Sequence, residues 1–156
     1  MSTEKMLSVI VPGRNEQFMS NTVNDVLEHS CDDTEVIAVC DGGWPDPPLE
    51  DHPRLKVLHC SKAIGQRAAT NEGAKLSRAK YIMKLDAHCS VEEGFDQKLI
   101  NDMQPDWTMI PSMHRFHIFD WACSDCGERT YQGTKPEKCA ECGGTDFYMH
   151  MVWEPR

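Results

Sequence analysis

Four short apolar runs, each ending at a polar or glycine-containing turn, constrain this chain more than any other feature. They are Leu7 to Val11 (LSVIV), Glu35 to Cys40 (EVIAVC), Leu55 to His59 (LKVLH) and Tyr81 to Leu85 (YIMKL). Runs of this length, bounded by turn signals, read as buried strands. The first stops at Pro12-Gly13, the second at Asp41-Gly42-Gly43 and the fourth at Asp86-Ala87-His88-Cys89. Helical patterns separate them. Ser20 or Asn21 can cap a helix in which Val23, Val26 and Leu27 share one face. Gly65 to Ala79 is rich in helix formers and small residues, and Phe95, Leu99, Ile100 and Met103 mark one face of a third helix. Trp44 to Pro53 holds four prolines and must be a loop, while Trp107 to Ile110 is expected to open a further strand.

Strands alternating with helices imply an α/β fold with a mostly parallel sheet and right-handed crossovers. Ligands of such sheets sit beyond the carboxyl ends of the strands. Asn15, Asp41, Asp86 and His88 all fall just after an expected strand, so a parallel sheet puts all four on one edge. With 156 residues, 40% hydrophobic and 26% charged, the chain can bury a real core. No stretch approaches the roughly 20 apolar residues of a membrane span. The start, Met1 to Lys5, is polar and has no apolar signal core, so a cytoplasmic location is the expectation. The net charge of -9 argues against a nucleic-acid partner, because such binding runs on Lys and Arg. A nucleotide remains an eligible ligand if a metal supplies local positive charge.

Asp86 and His88 offer a place for that metal. Residues two apart in an extended segment point the same way, so both can hold one divalent ion. A carboxylate alone suits Mg²⁺, and adding an imidazole shifts the preference toward Mn²⁺. Two protein ligands leave positions that a diphosphate can fill, with the ion acting as Lewis acid on the leaving group. The plain alternative is a loop aspartate beside a surface histidine.

The cysteines make a second pattern. Cys123-x-x-Cys126 and Cys139-x-x-Cys142 are separated by twelve residues, and each pair is followed by glycine. Four thiolates form a closed tetrahedral site, so this spacing points to a structural Zn²⁺ in a zinc ribbon. A redox role is less suited to two pairs at this separation. Cys31, Cys40, Cys60 and Cys89 read as reduced thiols that behave as small hydrophobes. Phe147 to Trp153 (FYMHMVW) reads as a strand returning to the main sheet. The expected organisation is therefore an α/β domain at 1–120, a zinc ribbon at 121–147 and a returning strand of the main sheet at 148–156. His114, Arg115 and His117 precede the ribbon as ordinary strand and loop residues. His150 is a third metal ligand by type and position only, and is better explained as a strand residue facing solvent.

Several segments together resemble the family 2 type of GT-A glycosyltransferases. SVIVPGRNE (Ser8 to Glu16) is similar to their opening strand and turn, and AVCDGG (Ala38 to Gly43) to their second strand. IGQRAATNEGAKLSRAKYIMKLDAHC (Ile64 to Cys89) resembles their helix, strand and metal motif in order. The DAHC ending is closer to the polypeptide N-acetylgalactosaminyltransferases than to the Asp-x-Asp form. The resemblance covers roughly the first 110 residues. It implies a Rossmann-like GT-A fold that binds a nucleotide-diphosphate sugar, a UDP-sugar foremost. It assigns the turn Pro12 to Glu16, with Asn15 and Glu16, to the nucleoside, and Asp41 to the nucleobase. Gly65 and Arg67 approach the donor, and Asp86 and His88 hold Mn²⁺ or Mg²⁺. On their residues alone, Asn15 and Asp41 also suit simple turn roles, and Arg67 a helix-surface charge.

The family's C-terminal half, which supplies acceptor contacts and a catalytic carboxylate, finds no counterpart here. The chain is thus expected to be a fragment, or a donor-binding domain without a complete acceptor site. Two functions follow: transfer of a sugar to an unidentified acceptor, or a noncatalytic module whose ribbon binds a partner while the glycosyltransferase-like domain serves as scaffold.

Overall fold

A computed structural model describes residues 5–155, so the polar start falls, apart from Lys5, outside the described residues. The chain divides into two compact units, Met1–Met109 and Ile110–Arg156. In the first, β1 (Leu7–Gly13), α1 (Met19–His29), β2 (Thr34–Asp41), β3 (Leu55–Cys60), α2 (Gln66–Leu76), β4 (Tyr81–Lys84) and α3 (Phe95–Asp102) follow one another. Their strands form a parallel sheet in the order β3-β2-β1-β4. This is the α/β architecture the alternating pattern implies. β1 and β2 are central and buried on both faces, which is why they read as continuous apolar runs.

Alternation along the strands divides the core. Val9 and Val11 of β1 join Val36 and Ala38 of β2, Val23 and Val26 of α1 and Phe95 of α3. Ile10, Ile37 and Val39 face the other way and pack with Ala69 of α2. α2 lies very close to the sheet at Gly73, where a Cβ would stand 2.8 Å from Ile10 Cγ2 and 2.9 Å from Val39 Cγ2. Only the smallest side chain fits there.

Side chains tie the helix ends. Arg54 closes the carboxyl end of α1, donating to Ser30 Oγ (2.9 Å), to the carbonyls of Cys31 (2.8 Å) and Thr34 (3.2 Å), and to the Leu27 carbonyl. Asp96, fully buried in the first turn of α3, accepts from Thr34 Oγ1 (2.6 Å) and the Cys31 N–H (2.9 Å). The expected cap at Ser20 or Asn21 does not form, because α1 starts at Met19. The Ser20 hydroxyl instead meets the Pro47 carbonyl at 2.6 Å and anchors the proline-rich loop.

Two strand expectations need correction. Trp107 to Ile110 forms no strand, and the next one begins at Phe116. Asp106 is in the left-handed region (φ +65°), Pro111 lacks an N–H, and Ile110 is 86% exposed, so this segment has neither the backbone nor the burial of a strand. The Phe147 to Trp153 segment does form β7 (Phe147–Pro155), but not in the main sheet. With β5 (Phe116–Cys123) and β6 (Arg129–Tyr131) it makes an antiparallel sheet in the order β6-β5-β7. The physical reason lies at its start. Phe147 is paired with Cys123 and packs in one small core with Cys123 and Cys139, so β7 is delivered to β5. The break between units accordingly precedes β5 at 109/110, upstream of the expected 120/121.

Candidate functional site

The carboxyl ends of β1, β2 and β4 surround a cleft of about 290 Å³ within the first unit. Pro12 and Gly13 contribute from the end of β1, Arg14 and Glu16 from the turn after it, and Asp41 from the end of β2. Gly65 and Gln66 enter from the start of α2, and Asp86, Ala87 and His88 from the turn after β4. The parallel register is what brings segments so distant in sequence to one rim.

Each acidic side chain there has a partner. Asp41 is 3% exposed, and its oxygens accept the backbone N–H groups of Ile64 (2.7 Å) and Gly65 (2.9 Å). It therefore fixes the loop that enters α2, where Gly65 takes a left-handed φ of +89°. Glu16 reaches across the cleft: Oε1 accepts the Phe18 N–H at 3.2 Å, and Oε2 lies 3.1 Å from His88 Nδ1. Asp86 Oδ1 accepts from Gln66 Nε2 (2.9 Å) and from Lys84 Nζ. The hydrogen bond from Lys84 is the main reason the Asp86 carboxyl lies below its ordinary range, against a smaller opposing effect of burial.

Not every expected residue lines the cleft. Asn15 is exposed in a left-handed turn (φ +52°), with its amide oxygen 3.3 Å from where a Cβ on Gly43 would stand. Arg67 is exposed on the first turn of α2, outside the cleft walls. His114 and Arg115 belong to the second unit, where His117 contacts Asp120 at 2.7 Å and His150 stands opposite Asp120 in the β5–β7 ladder. Gln66 and Lys84 were not expected at the site, and Arg14, inside the expected Pro12 to Glu16 turn, was not singled out. Lys84 carried a readable signal, since it precedes Asp86 by two in an extended segment.

The second unit holds the cysteine cluster. The sulfurs of Cys123, Cys126, Cys139 and Cys142 all lie within 4.8 Å of one another. Cys123 and Cys142 are 3.6 Å apart, and Cys126 and Cys139 3.5 Å. A tetrahedral zinc with bonds of about 2.3 Å needs its sulfurs roughly 3.8 Å apart, so the four thiols are compatible with zinc. Gly127 and Gly143 take left-handed turns (φ +77° and +73°) that fold each pair back on itself. N–H groups of Cys142 and Glu141 lower the Cys139 thiol to about 7. The Glu128 N–H favours the Cys126 thiolate, but contacts with Cys142 and Cys139 outweigh it and push Cys126 up to about 12.

The chain is similar to known proteins over part of its length. Over 107 residues the chain is 31% identical to the uncharacterized glycosyltransferase EpsJ of Bacillus subtilis (strain 168), covering 64% of this chain and 30% of that protein. Over 115 residues it is 30% identical to polypeptide N-acetylgalactosaminyltransferase 5 of Caenorhabditis elegans, covering 66% and 18%. The matched part thus spans less than a third of the length of these relatives. The crystal structure of S. aureus TarS superimposes with a TM-score of 0.50 at 16% identity, over 69% of this chain and 23% of that one, a likeness of fold. Residues 8–121 match Glycosyl transferase family 2, a segment that contains every wall of the cleft and stops just before Cys123. The chain belongs to glycosyl transferase family 2.

Proposed function

We propose that the first unit binds the donor of a glycosyl transfer, a nucleoside diphosphate sugar with UDP as its expected carrier, and that the whole protein moves the sugar to an acceptor. The observation behind this reading is that Pro12, Glu16, Asp41, Gly65, Asp86 and His88 meet in one cleft at the carboxyl edge of the sheet. The strand order fixes their sequence along that edge, with Asp41 on β2, the Pro12–Glu16 turn beyond β1, and Asp86 and His88 beyond β4. The nucleoside rests on the first two groups and the diphosphate lies toward the third. Asp41 serves by holding the Ile64–Gly65 backbone as a wall for the nucleoside.

Asp86 and His88 suit a divalent ion, Mn²⁺ or Mg²⁺. With Glu16 accepting from Nδ1 of His88, Nε2 is the ring nitrogen left for a metal, the usual carboxylate–imidazole arrangement. When bound, such an ion supplies the positive charge that a departing diphosphate requires. The cleft needs it, because Glu16, Asp41 and Asp86 would otherwise oppose a diphosphate.

Titration of UDP by calorimetry tests the reading. Binding is expected with Mn²⁺, more weakly with Mg²⁺, and not in metal-depleted buffer. Asp86→Ala should abolish the metal-dependent part. Equal affinity with and without metal would overturn the assignment. A second reading, a binding module built on the cysteine unit, draws on one fact: the cluster falls outside the matched residues. Protein that retains zinc yet binds no nucleotide with any metal would favour it.

A further inference from the structure

Lys84 is the last residue of β4 and stands two positions before Asp86. Its ammonium and the Gln66 amide converge on the same atom, Oδ1 of Asp86. The ion pair is at the surface, with side chains 40% and 37% exposed, so it can open at small cost. It completes a pattern. Asp41 is satisfied by two backbone N–H groups, Glu16 faces His88, and Asp86 faces Lys84 and Gln66. Each of these acids therefore has a partner before any ligand enters, and of the three contacts only that to Asp86 is with a permanently charged group.

That pairing has consequences for loading. A dication arriving alone at Asp86 meets an ammonium already on the carboxylate, and the like charges repel. A diphosphate arriving alone meets carboxylates. The two together keep a net negative charge, which can accept the ammonium that Asp86 gives up. We propose that Lys84 is an exchangeable counter-cation: it holds Asp86 in the empty cleft, opposes a divalent ion bound alone, and passes to the diphosphate when ion and nucleotide bind together. The lysine changes partner and stays an ammonium throughout. The effect is a coupling free energy between ion and nucleotide carried by one side chain. It rests on the reading of Asp86 as a metal ligand.

The test follows free Mn²⁺ by electron paramagnetic resonance in the intact chain, without and with UDP. Lys84→Gln is expected to bind Mn²⁺ alone about two- to fivefold more tightly than wild type, the range of a surface ion pair. It should also gain less from UDP, so that the ratio of the two affinities shrinks. Lys84→Arg, which keeps the charge, should retain the wild-type ratio. A Lys84→Gln protein whose affinity for Mn²⁺ alone is unchanged or weaker, or whose ratio is not reduced, overturns the proposal, as does Lys84→Arg behaving like Lys84→Gln. Asp86→Ala separates the two levels. If it binds Mn²⁺ as wild type does, the metal-ligand reading fails. If it loses Mn²⁺ while Lys84→Gln matches wild type, only the exchange is wrong.

Discussion

At the scale of single residues, Asp96 does different work from the acids of the cleft. Asp96 is fully enclosed and ties the start of α3 to Thr34 and Cys31. Asp96→Ala should destabilise the first unit by about 2–3 kcal/mol, since it orphans the buried Thr34 hydroxyl and the partly buried Cys31 N–H. A urea midpoint unchanged from wild type would refute that. The thiols make a pH prediction. Cys126, pushed up to about 12, and Cys142, also raised, keep their protons at neutral pH in the metal-free cluster, and a zinc ion would have to displace them. Zinc affinity should therefore fall as pH drops from 8 to 6, by more than about tenfold per unit because several protons leave together. Competition with a chelator measures this, and a flat profile would contradict it. Asp41, Asp86 and His88 were legible as polar residues after apolar runs and reach the cleft walls, whereas Asn15, read by the same rule, does not. Pro12, Glu16 and Gly65 also reach the walls, but only the family resemblance pointed to them. The hydrogen bonds of Gln66 with Asp86 and of Asp41 with the Ile64 and Gly65 backbone were not legible, because a hydrogen bond between segments twenty or more residues apart leaves no local pattern.

At the scale of elements, periodicity identified the strands and helices of the first unit but not how closely they approach. α2 is written as a run of small residues, yet nothing in that run says that Gly73 is the point of contact with Ile10 and Val39. Gly73→Ala exchanges a gain in helix propensity of about 1 kcal/mol for a Cβ inside the contact distance of two β-branched side chains on central strands. Those side chains are stiff, so overpacking should prevail, with a net loss of about 1–2 kcal/mol. Thermal or urea unfolding will give the sign, and a stabilised variant would show that α2 can lift off the sheet without penalty. The end of α1 was equally hidden. Arg54, from the segment before β3, closes it, and no rule about the helix's own sequence points to that residue.

At the scale of the whole molecule, the cysteine spacing announced its cluster, but the sheet that β7 joins could not be read. An alternating strand fits any open edge of the right register, and here the cluster decides by bringing Phe147 beside Cys123. Cys126→Ser should accordingly open 123–145 to proteolysis and lower zinc content below one per chain; an unchanged digest would deny the cluster a structural role. The position of β1 has a further consequence. It precedes the other described strands and lies inside the sheet, pairing with β2 on one side and with Tyr81–Lys84 on the other. During synthesis β2 can join it early, but its second flank stays open until β4 has left the ribosome. At about 5–20 residues per second that wait lasts on the order of 4–14 s. The nascent chain passes this interval with half its binding edge built and a hydrophobic strand unguarded, so the risk of misassembly is concentrated before the DAHC turn emerges.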